Sequence, residues 1–161
     1  MGYYTRYCGQ FDITPPLTKA EYLRLAQAVA FWNSEKIVEK ATSDVFDSGL
    51  PALTPADKII KDTASQSHYG LTFCLKPDAI EANEEDVKGY DDEDNLALAV
   101  RWLHDNGHQM DGAVSWNGSE NQDTGTIYAA VVDRKPRIEF VKDKHENPGP
   151  SWKQSSTSTP Q

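Results

Sequence analysis

Met110-Asp111-Gly112-Ala113-Val114-Ser115-Trp116, Thr126-Ile127-Tyr128-Ala129-Ala130-Val131-Val132 and Pro136-Arg137-Ile138-Glu139-Phe140-Val141-Lys142 are three short runs rich in Val, Ile, Tyr, Trp and Phe. The first two are parted by Asn117-Gly118-Ser119-Glu120-Asn121-Gln122-Asp123 and the last two by Asp133-Arg134-Lys135. Runs of this composition between turn residues read as consecutive strands. Met110, Val114 and Trp116 share one face, whereas 126–132 is apolar on both, as a central strand requires. Pro136 stands at the start of its strand, where a missing donor costs least. The stretch Met110–Lys142 therefore predicts a three-stranded meander.

Working outward, Tyr3–Ile13 alternates: Tyr3, Thr5, Tyr7, Phe11 and Ile13 occupy odd positions, and Arg6, Gln10 and Asp12 even ones. Period two predicts a strand with one buried face. Gly9 within it marks a bulge or a close crossing, and Pro15-Pro16 ends it. Thr18 and Glu21 then form a capping box flanked by Leu17 and Tyr22 at the staple positions. Tyr22, Leu25, Ala26 and Val29 give a helix to about Ala30 one apolar stripe. Strand character returns over Tyr69–Leu75. Asp91-Asp92-Glu93-Asp94 precedes Leu96, Val100 and Leu103, and Asn106-Gly107 ends a second helix there. Between the first helix and the second strand, 42–70 reads as a surface excursion, with Thr54-Pro55-Ala56-Asp57 able to cap a short helix.

These elements predict an α+β fold: one mixed or antiparallel sheet of about five strands in the order β-α-β-α-β-β-β, with two helices on one face. A length of 161 residues suits a single domain burying roughly 68–70% of its unfolded surface. The domain is expected to span 1–142, and the tail 143–161, rich in Pro, Ser and Thr, is expected to be disordered.

The net charge is −9, and of the eight acids between Glu81 and Asp94 only one is offset, by Lys88. Such a chain repels nucleic acid. No run approaches a membrane span, and no signal peptide is seen at the N-terminus. Cys8 and Cys74 fit small buried hydrophobes rather than a disulfide. His104 and His108 are four apart, but Gly107 intervenes and no H-E-x-x-H glutamate is present, so a surface and a loop histidine are expected. Asp91, Glu93 and Asn95 lack the Gly and Glu of a calcium loop. No catalytic residue, metal site or cofactor is expected.

Two groups remain as candidate binding residues. Tyr4, Trp32 and Trp116 belong to an aromatic surplus suited to interface anchors. Glu84, Glu85, Asp86, Asp92 and Asp94 carry the acidic segment, and Glu120 and Asp123 carry the loop after Trp116. Met1-Gly2-Tyr3-Tyr4-Thr5, Gly9–Leu17 and the stretches Gly112–Glu120 and Asp123–Ile127 resemble a family of small uncharacterised proteins from bacteriophages and actinobacteria. Family members place Gly directly before Glu after the Trp, whereas Ser119 separates Gly118 from Glu120 here. The resemblance brings no established activity and no catalytic residue. It implies a phage product acting in the cytoplasm of an infected bacterium.

The expectation is a non-enzymatic accessory protein that binds a host macromolecule, most simply a host protein, with no direct nucleic-acid or membrane partner. One alternative is an acidic mimic of a phosphate backbone that occupies a host DNA- or RNA-binding enzyme. Another is a small ligand-binding protein using Asp111, Glu120 and Asp123 in the 111–123 loop. The sequence is silent on oligomeric state.

Overall fold

A computed structural model describes residues 4–43, 49–63, 72–83, 86–87, 92–118, 124–143 and 149–152, with the backbone alone at 86–87 and 92–94. The elements are β1 (Thr5–Thr14), α1 (Lys19–Ala28), α2 (Ser34–Ser43), α3 (Pro55–Thr63), β2 (Phe73–Lys76), β3 (Ala79–Ala82), β4 (Asp86–Val87), α4 (Asp92–Asp105), β5 (Gln109–Gly118), β6 (Thr124–Val132) and β7 (Lys135–Lys142). One sheet runs β2-β3-β1-β5-β6-β7, with β4 also paired to β1, and every pairing is antiparallel. The fold is α+β, as expected, with the last three strands contiguous.

Two short strands enlarge the expected sheet. Pro77-Asp78 turns β2 back into β3, and β3 and then β4 line β1 on one side. Two further helices, α2 and α3, stack on α1. The 42–70 excursion is therefore no surface loop throughout: α3 sends Asp57 and Ile60 into the interior. Residues 64–70 lie outside the described part.

One face of the sheet is covered. Tyr7, Phe11 and Ile13 of β1, Val114 of β5, Ile127 of β6 and Leu75 of β2 meet Leu25 and Val29 of α1 and Leu96, Val100, Trp102 and Leu103 of α4 in one core. α4 lies over β5, β6 and β7, and α1 reaches β2. The opposite face is wetted. Alternation sends Cys8, Gln10 and Asp12 there from β1, and Ser115 and Asn117 from β5. Cys8 is exposed and Cys74 half-buried, neither in a disulfide. The expected burial of these thiols fails because each is out of phase with its strand's core residues.

The local devices explain the boundaries. Thr18 and Glu21 form the reciprocal cap of α1. Thr54 and Asp57 do the same for α3, with Pro55 at its first position. At the end of α4, His108 N–H donates to Leu103 O and Gly107 N–H to His104 O, with Gly107 at φ +83°. That pair of bonds is a Schellman motif, which needs the left-handed residue glycine supplies. Asp133 and Arg134 both have positive φ and make a two-residue turn between Val132 and Lys135. Such a turn matches the twist of the strands it joins.

Of the tail, Asp143 and 149–152 are described. Pro150 is buried, Trp152 is half-buried, and Ser151 donates from its N–H and hydroxyl to the Glu139 carboxylate.

Candidate functional site

The register brings Tyr4, Trp116 and the backbone of Asp86 to one end of the sheet. Thr5 pairs with Gly118 and with Val87, Arg6 with Asn117 and Asp86, and Asn117 with Thr124. Tyr4 immediately precedes this end and is 43% exposed. The chain carrying Glu120 and Asp123 joins β5 to β6 here, and α4 opens at Asp92, shortly after Val87. Glu84, Glu85, Glu120 and Asp123 themselves lie outside the described residues, as do the side chains of Asp86, Asp92 and Asp94.

Trp116 is at this end too, but it is a half-buried packing residue rather than a free anchor. Its ring lies across Gly125, its partner on β6: a Cβ there would come within 2.2 Å of the indole and 2.5 Å of the Val141 carbonyl oxygen. The missing side chain is the seat for the ring. Phe140 of β7 flanks it at 5.9 Å between centroids and is itself 41% exposed. Trp32 is elsewhere. It is 46% exposed and sits beside β2, where its N–H donates to Phe73 O.

Asp111 lies within β5. It is exposed, faces Asp12 across the β1–β5 ladder, and accepts from Gly112 N–H. Six residues of extended strand separate it from Asn117, roughly 20 Å. The other two carboxylates of the ligand-binding alternative, Glu120 and Asp123, lie outside the described residues. Among the described residues no three of His, Cys, Asp and Glu converge on a common point.

Two buried polar centres escape a reading of spacing alone. Asp57, 2% exposed, accepts from Arg24, from Thr54 N–H at 3.0 Å and from the Trp102 indole N–H at 2.8 Å. Arg24 also stacks on Trp102, 5.9 Å above its ring. Burial pushes the Asp57 carboxyl up, but the bonds from Arg24, Thr54 and Trp102 outweigh it and hold it below the usual range. This one carboxylate ties α1, α3 and α4 together. The second centre is His108, a loop histidine between α4 and β5 as expected, yet not a solvated one. It is buried, with Nδ1 2.7 Å from Pro15 O and Nε2 2.7 Å from a Glu21 carboxylate oxygen. Both partners are acceptors, so the pair is fully satisfied when the ring donates from both nitrogens. For Glu21, burial raises the carboxyl, and the bonds from His108 and Thr18 more than reverse that. The only hint in the sequence was the capping acid at each of Glu21 and Asp57. Their second partners come from distant segments that spacing does not connect. Asp57 and His108 are buried between the elements they join, with Arg24 and Glu21 partly exposed, and each pair clamps those elements together.

No protein-family model matches the chain, and no curated protein or solved structure matches it.

Proposed function

We propose that this chain is a non-enzymatic accessory protein, of phage origin, that binds a host protein through the end of the sheet around Tyr4. The observation carrying this is the register that sets Asp86 opposite Arg6 and Gly118 opposite Thr5. It brings the strand ends that flank the acidic segment and the acidic loop to one end of the sheet, next to the exposed Tyr4. An aromatic anchor supplies contact area, and surrounding like charge steers a basic partner toward it. The phage setting and the bacterial cytoplasm rest on the likeness of the two stretches quoted above.

The test is capture from bacterial lysate with the tag at either terminus, repeated with Tyr4→Ala and with the combined Glu84→Gln, Glu85→Gln, Asp86→Asn, Asp92→Asn and Asp94→Asn variant. A partner retained by both tagged forms, released by salt and lost with Tyr4→Ala supports the proposal. Retention untouched by Tyr4→Ala overturns it. The acidic charge of these stretches also favours the second reading, a phosphate-backbone mimic. In that case the neutralised variant alone loses the partner, and duplex DNA competes for it.

A further inference from the structure

β7 is the last strand of the sheet and pairs on one side, with β6. Asp143 N–H donates to Thr124 O at 2.9 Å, which fixes the phase of the β6–β7 ladder. Residues of an antiparallel strand alternate in the direction of their backbone groups. Lys135, Arg137, Glu139 and Val141 therefore aim at β6, and Ile138, Phe140 and Lys142 aim away from it. Among the described residues nothing accepts from or donates to those three outward positions. Pro136, the fourth, lacks a donor. The outward row ends at Phe140 and Lys142, beside the exposed Phe140 ring.

We propose that a second copy of this chain pairs antiparallel with β7, with the twofold axis through Phe140. This surface is separate from the one around Tyr4 and does not depend on it. Three neighbouring registers compete, and side-chain chemistry separates them. An axis at Glu139 sets two like carboxylates directly opposite, which is unfavourable. An axis at Ile138 sets Pro136 opposite Phe140, so one bond of each such pair has no donor. An axis at Phe140 lets Ile138, Phe140 and Lys142 of each copy both donate and accept. It sets Arg137 opposite Asp143 of the other copy, twice by symmetry, an opposite-charge pair on the open face. On the covered face it stacks Phe140 on its mate. The existing Trp116–Phe140 contact then becomes a row of four rings across the axis. Two sheets merge into one, and the two Tyr4 ends point in opposite directions.

The experiment is sedimentation of the full chain over a concentration series, beside Phe140→Lys, with circular dichroism to check the fold. The expected result is twice the monomer mass for the parent. For Phe140→Lys the dissociation constant should rise by roughly 100-fold, since two cations meet on the axis and a ring pair is lost. In a Cys8→Ala, Cys74→Ala background, Phe140→Cys should oxidise to a covalent dimer, because a self-paired position brings two Cα atoms within disulfide range. Ile138→Cys should not. A parent that stays monomeric up to millimolar concentration overturns the proposal. So does a folded Phe140→Lys protein that remains a dimer, or cross-linking at 138 in preference to 140.

Discussion

At one margin of the sheet, β2 has its outward groups taken up: Trp32 N–H donates to Phe73 O, Asn33 donates to Leu75 O and accepts from Leu75 N–H, both at 2.9 Å, and the Tyr22 hydroxyl also reaches Leu75 O. At the other margin, β7 offers Ile138, Phe140 and Lys142 to no described residue. A side-chain amide has the same donor and acceptor as a peptide unit, so Asn33 acts on β2 as a strand one residue long. The difference follows from chain order. The α1–α2 linker passes directly beside β2, whereas the described chain after β7 turns to the Glu139 side chain instead of the strand's edge. Exposed edges invite pairing with other chains, so among the described residues the same sheet is closed on one side and open on the other.

The closed side depends on α1 being held in place, and Asp57 holds it together with the Glu21–His108 pair. Asp57→Ala strands the Arg24 guanidinium and the Trp102 indole and should cost about 3–5 kcal/mol in a denaturant titration. A loss below 1 kcal/mol would mean that α1 and its linker are positioned by the apolar core and the Glu21–His108 pair. Asn33→Ala acts on the margin itself. Leu75 is fully buried, and its N–H would lose its acceptor, costing about 2 kcal/mol. The variant should also form larger assemblies on warming, seen by light scattering, through the newly opened β2. If only its stability falls and no assembly appears, the amide serves cohesion and not protection.

The smallest effect is that of pH. Asp57 and Glu21 both titrate below their ordinary values in the fold. Each therefore contributes stability that is complete above the unfolded carboxyl value of about 4 and fades as the pH falls through the folded value. The melting temperature should be level near neutrality and drop in acid. Asp57→Asn, which removes one of the two groups, should flatten the drop. An unchanged slope would place the acid sensitivity elsewhere.

Much of this architecture was legible because local signals and tertiary contacts agree. The alternation in β1, the Thr18–Glu21 cap, the first-turn acids and Gly107 of α4, and the three runs of 110–142 each carry their own instruction. β3 was invisible because Ala79-Ile80-Glu81-Ala82 is short and weak in β-propensity. It is a strand because β1 and β2 lie on either side of it. The depth of α3 was hidden for a related reason: Asp57 looks like a surface capping acid until Arg24 and Trp102 arrive from far along the chain. The candidate binding residues were legible as residue types, and two of them, Tyr4 and Trp32, are exposed. That Trp116 is seated in a groove was not, because the vacancy beneath it belongs to Gly125.

Gly9 and Gly112 stand in the β1–β5 ladder opposite Val114 and Phe11. Both have positive φ, +114° and +132°, and a Cβ on either would stand within 3 Å of a carbonyl oxygen of the other strand, Ala113 or Gln10. Neither site admits another amino acid without parting the two central strands, and relief at one does nothing for the other. Any chain that shares this sheet has to carry both, far apart along its length and diagonal in space. The coincidence of two such vacancies, tied to Phe11 and Val114, is a sharper fingerprint of distant kinship than overall likeness.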